Sequence, residues 1–146
     1  SLLKIKHKLS KNILVINSDI ITNLDTNNLF EFHVKNEADL TIGAKKNETK
    51  VNFGVIKTNG KNINNIDEKP ILNYWINTGI YFLKKNCILS TKKIKINAVE
   101  FINSLIKKKF KVLLYPMYET WFDIGTHEQL ELADKFLKKQ KKRIKG

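Results

Sequence analysis

A run of four apolar residues near the start of the chain places the strongest constraint on its fold. The run is Ile13-Leu14-Val15-Ile16, and it ends at Asn17-Ser18-Asp19. Continuous, largely β-branched stretches of this length are typical of a central strand that is covered on both faces, as in α/β proteins. We therefore expect Asp19 at or just beyond the carboxyl end of that strand, which is where ligands bind in open α/β sheets.

Helical and strand patterns alternate along the rest of the chain. Apolar spacing and capping residues predict helices at 26–36 and 97–109 and from Thr126 onward, and strands at 38–44, 76–83 and 111–115. Asn59-Gly60 is a strong hairpin signal between predicted strands at 54–58 and 63–66, since both residues tolerate positive φ. These elements indicate one α/β domain over residues 1–146, with an added β-rich layer.

The composition limits the classes of partner. The net charge of +13 comes almost entirely from lysine, because Arg143 is the only arginine. Proteins that read nucleic acid favour arginine, so we attribute the lysines to a compositional bias and do not favour a nucleic-acid partner for the tail at 135–145. No apolar run approaches the ~20 residues of a membrane span, so no membrane partner is expected. Cys87 is the only cysteine, which excludes an internal disulfide and favours a cytoplasmic location.

Two aspartates in similar contexts are the sharpest candidates for chemistry. Asp19 and Asp123 each follow apolar residues and precede a short loop and a capped helix. Mg²⁺ prefers oxygen ligands and commonly takes one or two protein carboxylates together with substrate phosphates. If the two strand ends are adjacent, this pair suffices for a magnesium site. The alternative is that Asp19 caps a turn and Asp123 is a surface acid.

A second set of candidates lies in the β-rich middle of the chain. Glu68-Lys69 places opposite charges on neighbouring residues before Pro70, so that both side chains can reach one ligand. The carboxylate would accept hydrogen bonds from sugar hydroxyls, and the lysine would meet a phosphate as a point charge. Asn77 fits a sugar contact or a turn, and Gly54 fits a close backbone approach or a bulge. The other interpretation of Glu68-Lys69 is a solvated hairpin end.

The chain lacks the residue patterns of zinc sites, of serine nucleophiles and of the common nucleotide-binding loops. The histidines His7, His33 and His127 have no zinc-ligand spacing with one another or with Cys87. The chain contains no G-x-S-x-G nucleophile elbow, no Walker loop and no G-x-G-x-x-G fingerprint. Together with the two lone aspartates and the Glu68-Lys69 pair, these absences suggest chemistry on phosphates held by a metal.

Five short strings, taken in order, resemble the motifs of one family, the sugar-phosphate nucleotidyltransferases. These enzymes join a nucleoside triphosphate to a sugar 1-phosphate. The family's N-G-D, F-G-V, E-K-P, N-x-G-I-Y and W-x-D-I-G motifs are similar to Asn17-Ser18-Asp19, Phe53-Gly54-Val55, Glu68-Lys69-Pro70, Asn77-Thr78-Gly79-Ile80-Tyr81 and Trp121-Phe122-Asp123-Ile124-Gly125. The resemblance covers nearly the whole chain.

The resemblance implies a fold, a cofactor and roles for site residues. The implied fold is part of a doubly wound mixed sheet with an added β-rich sugar-binding layer. The implied cofactor is Mg²⁺, bound by Asp19 and Asp123. Gly54, Glu68 and Asn77 would line a sugar pocket, and Lys69 would meet the sugar phosphate.

The resemblance also implies the reaction and its substrates. The substrates would be a sugar 1-phosphate and a nucleoside triphosphate, and the products a nucleotide sugar and pyrophosphate. Members similar to mannose-1-phosphate guanylyltransferases are slightly favoured by the N-x-G-I-Y string. The sequence leaves the sugar, the base and the oligomeric state open, and it admits a homo-oligomer.

The chain departs from the family pattern at two places. Ser18 stands where glycine is usual, and we expect this small residue to be tolerated. Nothing before Asn17 resembles the Gly-rich loop with which family members bind the triphosphate. We therefore expect the C-terminal, sugar-phosphate-binding part of a longer polypeptide, inactive alone. The alternative is a non-catalytic module that binds sugar phosphate and regulates a partner.

Overall fold

Strands and helices alternate along the part of the chain that the structure describes. A computed structural model describes residues 9–91 and 96–144. Its elements are β1 (Asn12–Ile16), β2 (Ile20–Thr22), α1 (Thr26–Lys35), β3 (Leu40–Lys50), β4 (Val55–Asn59), β5 (Asn62–Asp67), β6 (Ile71–Lys84), α2 (Lys85–Leu89), α3 (Ala98–Lys107), β7 (Val112–Pro116), β8 (Trp121–Asp123) and α4 (His127–Ile144).

The main sheet is mixed and has the strand order β1-β6-β3-β7. Strand β6 runs antiparallel to β1 and β3, and β3 runs parallel to β7. Strands β3 and β6 continue beyond the sheet as a two-stranded arm, in which 45–50 pair with 71–76. Strands β4 and β5 form a separate hairpin, and β2 pairs with β8. The predicted α/β architecture with an added β-rich layer is confirmed.

Helix ends follow their local capping signals. Asp25 accepts a hydrogen bond from Asn27 N and caps α1, while Asn97 accepts one from Glu100 N and caps α3. Gln129 Oε1 accepts from the amide of Thr126 at the start of α4. These contacts satisfy amide donors that a helix leaves without intrahelical partners.

The core of the described residues lies in two clusters on the main sheet. One cluster packs α2 and α3 on the sheet, and its buried members are Leu40, Tyr81, Leu83, Cys87, Ile88, Ile102 and Leu105. The other packs α1 on the sheet, and its buried members are Leu24, Leu29, Ile80, Phe82 and Met117. Strand β6 contributes to both, so it is the central element that positions the neighbouring loops.

The prediction that β1 is covered on both faces is wrong for the described residues. Ile13 and Val15 pack against the first core cluster, whereas Leu14 and Ile16 are 38% and 43% exposed. Within the described part of the chain, β1 pairs only with β6 and lies at the edge of the sheet. The apolar run therefore forms the expected strand, but only one of its faces is buried.

Two further expectations need correction in detail. The hairpin forms, but Asn59 pairs with Asn62, so the turn is Gly60-Lys61 rather than Asn59-Gly60. Gly60 has a φ of +59°, a conformation that glycine adopts without strain. The apolar spacing of the last helix predicts that Leu130, Ala133, Phe136 and Leu137 are buried. In α4 Ala133 is buried, but Leu130 and Leu137 are 45% and 41% exposed.

Candidate active site

The backbones that carry Asp19 and Asp123 lie side by side. Strands β2 and β8 are antiparallel, with Ile20 opposite Asp123, and the amide of Ile124 donates to the carbonyl of Asp19 at 2.8 Å. Opposed Cα atoms in an antiparallel pair are about 4.5–5.5 Å apart. Both aspartates are exposed. The structure thus joins the two segments that carry the candidate metal ligands.

A bulge in β6 lies next to this pair of strands. The register between β3 and β6 breaks between Ile42 and Ala44, and Gly79 has a φ of +75°. A Cβ atom on Gly79 would lie 2.6 Å from Nδ2 of Asn17, and Asn17 N donates to Gly79 O at 2.9 Å. Only glycine fits this close approach without a shift. The bulge therefore holds the turn that leads to Asp19.

Side-chain hydrogen bonds link the same bulge to β8. Nε1 of Trp121 donates to the carbonyl of Thr78 at 2.9 Å, and Oγ1 of the buried Thr78 donates to the carbonyl of Gly43 at 2.7 Å. Oδ1 of Asn77 accepts from Gly79 N at 3.1 Å, while the Asn77 side chain itself is exposed. Asn77 thus belongs to the cluster that carries the two aspartates. We call this set (Asn17, Asp19, Asn77, Gly79 and Asp123) the bulge cluster.

The other candidates form a second group at the base of the hairpin. A Cβ atom on Gly54 would lie 3.3 Å from Oε2 of Glu68, so the carboxylate of Glu68 lies beside Gly54. Nζ of Lys69 lies 3.7 Å from Oε1 of Glu68, and both side chains are exposed. Lys69 has a φ of +46°, which is uncommon for a residue other than glycine or asparagine. We call Gly54, Glu68 and Lys69 the hairpin-base group.

The two groups lie at the two ends of one stretch of β6. The hairpin-base group precedes Ile71, the first residue of β6, and Asn77 lies six residues further along that strand. At about 3.3 Å per residue, the Cα atoms of Ile71 and Asn77 are about 20 Å apart along the strand. The metal candidates and Asn77 therefore form one group, and the candidate phosphate ligand Lys69 lies at the outer end of the arm.

The titratable groups with perturbed pKa values lie outside both groups. Burial lowers the pKa of His33, and the charge of Lys84 acts in the same direction. Nδ1 of His33 is 2.8 Å from Oγ1 of Thr41, so this histidine is part of the core. Burial also raises the pKa of the Cys87 thiol to about 11. Neither residue is placed to act on a ligand at the bulge cluster.

Sequence reasoning missed the residues that hold the site together. The sequence assigns no structural role to three motif residues, Asn17, Thr78 and Trp121. In the structure their hydrogen bonds join three segments of the chain at one bulge. The glycine within Asn77-Thr78-Gly79 was the available signal, since glycine in a strand often marks a bulge or close backbone approach.

The described residues contain neither a larger cluster of metal-ligating side chains nor a helix that could span a membrane. No group of three or more His, Cys, Asp or Glu side chains in residues 9–91 and 96–144 is arranged to hold a metal ion. A magnesium site of two carboxylates completed by substrate phosphates does not need such a group. Within the same residues, no helix combines the length and apolar character needed to cross a membrane.

Comparison with known proteins identifies relatives. The family model described as nucleotidyl transferase matches residues 2–140. A protein of Sulfolobus acidocaldarius, provisionally named a mannose-1-phosphate guanyltransferase, is 32% identical over 122 residues, covering 82% of this chain and 34% of that protein. The glucose-1-phosphate adenylyltransferase of Bacillus subtilis is 27% identical over 146 residues, covering 91% of this chain and 38% of that protein. The structure of HddC from Yersinia pseudotuberculosis has a TM-score of 0.65 at 22% identity, covering 92% of this chain and 60% of that one.

These matches settle the fold and the family. The likeness to HddC confirms the expected fold, that of the nucleotide-diphospho-sugar transferases. This chain spans about a third of the length of the two curated relatives. The family model covers nearly all of the 146 residues. The chain therefore belongs to the nucleotidyl transferase family.

Proposed function

We propose that this chain provides the metal-binding and sugar-phosphate-binding part of a sugar-1-phosphate nucleotidyltransferase. The whole protein would transfer a nucleoside monophosphate from a nucleoside triphosphate to a sugar 1-phosphate. The names of the two curated relatives support this reaction class. The observation that carries the proposal is the hydrogen bond from Ile124 N to Asp19 O, which joins the two aspartate-bearing segments.

The two aspartates offer the kind of oxygen donor that a magnesium ion takes. Both carboxylates are exposed, and their backbones are neighbours across the β2–β8 pair. Hard oxygen donors with room for waters and phosphates are what Mg²⁺ takes in phosphate-handling sites. When bound, Mg²⁺ would neutralise charge on the phosphates of the substrates. The role of Asp19 and Asp123 would be to hold it.

Asn77 and the hairpin-base group would bind the sugar phosphate. Asn77 would hydrogen bond to sugar hydroxyls, and its position beside Gly79 places it in the bulge cluster. Glu68 would accept hydrogen bonds from the sugar next to Gly54, and Lys69 would contact the phosphate. Because Ile71, the first residue of β6, lies about 20 Å along the strand from Asn77, one ligand would reach both Asn77 and Lys69 only if the arm or the hairpin bends back toward the bulge cluster.

The reaction needs positioning and charge neutralisation more than covalent help. An oxygen of the sugar 1-phosphate would attack the α-phosphorus of the nucleotide in line, and the bond from that phosphorus to the pyrophosphate oxygen would break. Lys69 would lower the repulsion between the two anionic reactants. The buried, lone Cys87 is compatible with the cytoplasm, which we propose as the location.

The donor and sugar are proposed from the relatives. The relative with 32% identity favours mannose 1-phosphate and a guanine nucleotide. Since this chain spans about a third of that relative, we propose that turnover needs further nucleotide-binding residues. The second candidate is a non-catalytic module that would bind sugar phosphate through the same Asn77 and hairpin-base residues.

Calorimetry tests the proposal. Mannose 1-phosphate and glucose 1-phosphate are titrated into this chain with and without Mg²⁺, and then with GTP present. We expect magnesium-dependent binding of mannose 1-phosphate. A complete lack of sugar phosphate binding under all of these conditions contradicts both candidates. Pyrophosphate release from a longer form of the protein that includes the family's Gly-rich loop supports the enzyme, and its absence with sugar phosphate still bound supports the module.

A further inference from the structure

One face of β6 carries a row of exposed polar and aromatic side chains. Alternate residues of a strand share a face, and residues 71–77 pair with 44–50 in unbroken register. Asn73, Trp75 and Asn77 therefore point to the same side of the arm. All three are exposed. The row is a carboxamide, an indole and a second carboxamide.

The exposure of Trp75 is the property of this row that packing within the fold does not explain. It is 46% exposed, although a tryptophan offers one of the largest apolar surfaces available for burial. Across the strands it faces Lys46, whose ammonium lies 3.5 Å from the carboxylate of Glu48. An exposed aromatic ring bordered by charged and amide groups has the composition of a polar ligand site.

The position of Trp75 connects the two groups of candidate residues. It lies two residues, about 7 Å along the strand, from Asn77 and the bulge cluster. In the other direction, the same strand leads to the hairpin-base group that precedes Ile71. Trp75 therefore lies between Asn77 and the end of the arm that carries the hairpin-base group.

The neighbouring aromatic residue, Tyr74, makes hydrogen bonds within the arm. Tyr74 points to the opposite face, and its hydroxyl lies 2.6 Å from Nδ2 of Asn47 and 2.8 Å from Oγ1 of Thr49. Tyr74 is 44% exposed, nearly as much as Trp75. It therefore offers a matched control: an aromatic residue of similar exposure, one position away, on the other face.

We propose that Trp75 is a stacking platform for the pyranose ring of the sugar 1-phosphate, and that Asn73 and Asn77 hydrogen bond to hydroxyls at its two sides. This inference rests on the proposed function. A pyranose has a face of C–H bonds that packs on an aromatic ring, while its hydroxyls point outward toward amide groups. Trp75 would then help to select the sugar by the shape of its ring face.

The test measures mannose 1-phosphate affinity by calorimetry in the presence of Mg²⁺. We expect W75A to weaken binding by about tenfold or more, W75F to stay within about threefold of the wild type, and Y74A to leave the affinity unchanged. Thermal unfolding of each variant checks that the fold is retained. If W75A fails to fold, W75V takes its place, because a β-branched side chain suits a strand and carries no aromatic ring. Binding weakened by about tenfold or more in W75V supports the platform, and wild-type affinity contradicts it.

The outcomes separate this inference from the proposed function. If the wild type binds mannose 1-phosphate and W75A binds it equally well, the platform is contradicted and the proposed function stands. If Y74A loses as much affinity as W75A, the effect is not specific to the face of Trp75 and the platform is again contradicted. If the wild type binds neither mannose 1-phosphate nor glucose 1-phosphate, the proposed function fails and the platform fails with it.

Discussion

The amide of Ile124 donates a hydrogen bond to the carbonyl of Asp19 at 2.8 Å, and this contact joins two distant parts of the chain. It extends the short β2–β8 pair, in which Ile20 is opposite Asp123. Each strand of this pair has only three residues, so neither would be stable alone. The bulge of β6 supplies the support, through Trp121 Nε1 on one side and Asn17 N on the other.

Replacing Gly79 with alanine should destabilise the protein. The new Cβ would lie 2.6 Å from Nδ2 of Asn17, at a φ of +75°. We expect G79A to lower the free energy of unfolding in urea by about 1–3 kcal/mol. G60A is the matched control, because Gly60 also has a positive φ of +59° but nothing lies within 4 Å of its Cβ position. Equal losses in the two variants would show that the contact with Asn17 does not matter.

Lys69 should matter for binding and not for stability. Lys69 and Lys109 both have positive φ, at +46° and +62°, and asparagine tolerates that region better than lysine does. We therefore expect K69N and K109N to unfold at or slightly above the wild-type temperature. Only K69N should weaken the binding of mannose 1-phosphate, by about tenfold, because it removes a charge from the phosphate site. If K69N and K109N bind mannose 1-phosphate with the same affinity, Lys69 does not contact the ligand.

His33 should make the protein sensitive to acid. Its pKa lies below the usual 6.5, mainly through burial and also through Lys84, while Asp39 acts in the opposite direction. The folded state then binds fewer protons than the unfolded state, so stability is retained above about pH 6.5 and falls as the pH drops toward the lowered value. We expect a shallower fall in the free energy of unfolding between about pH 7 and pH 5 for H33Q than for the wild type.

The control for His33 is His127, which is exposed at the start of α4. The free energy of unfolding of H127Q should depend on pH as that of the wild type does. Chemical denaturation at each pH gives the free energies directly. If the free energy of unfolding falls with pH equally steeply in the wild type and in H33Q, protonation of His33 does not contribute to acid unfolding.

The sequence predicted those features that depend on local signals. The helices predicted at 26–36 and 97–109 form, and the side chains of Asp25 and Asn97 cap them by accepting hydrogen bonds from amides two and three residues further along the chain. The hairpin was found from Asn59-Gly60, although the pairing of Asn59 with Asn62 moved the turn by one residue. Such signals can be read from neighbouring residues, which is why they were found.

The features that were missed depend on pairing between distant segments. Ile20-Ile21-Thr22 is too short to be recognised as a strand, and it exists only because β8 pairs with it. The arm was missed because the polar residues from Lys45 to Lys50 have no strand-like alternation of apolar side chains. The length of β6 between Ile71 and Asn77 belongs to this arm, so the predicted strand at 76–83 could not supply it.

The central claim is that Asp19 and Asp123 hold one metal ion, and paramagnetic broadening tests it most directly. Mn²⁺, which takes the same oxygen ligands as Mg²⁺, is titrated while the amide signals of Ile20 and Ile124 are followed by NMR. Both signals should broaden over the same range of Mn²⁺ concentration. Each of the single variants D19N and D123N should shift that range to higher Mn²⁺ concentrations for both amide signals. D134N, which removes a carboxylate on α4, should leave the range unchanged. Broadening of one signal without the other, or a shift confined to the mutated segment, would contradict a shared ion.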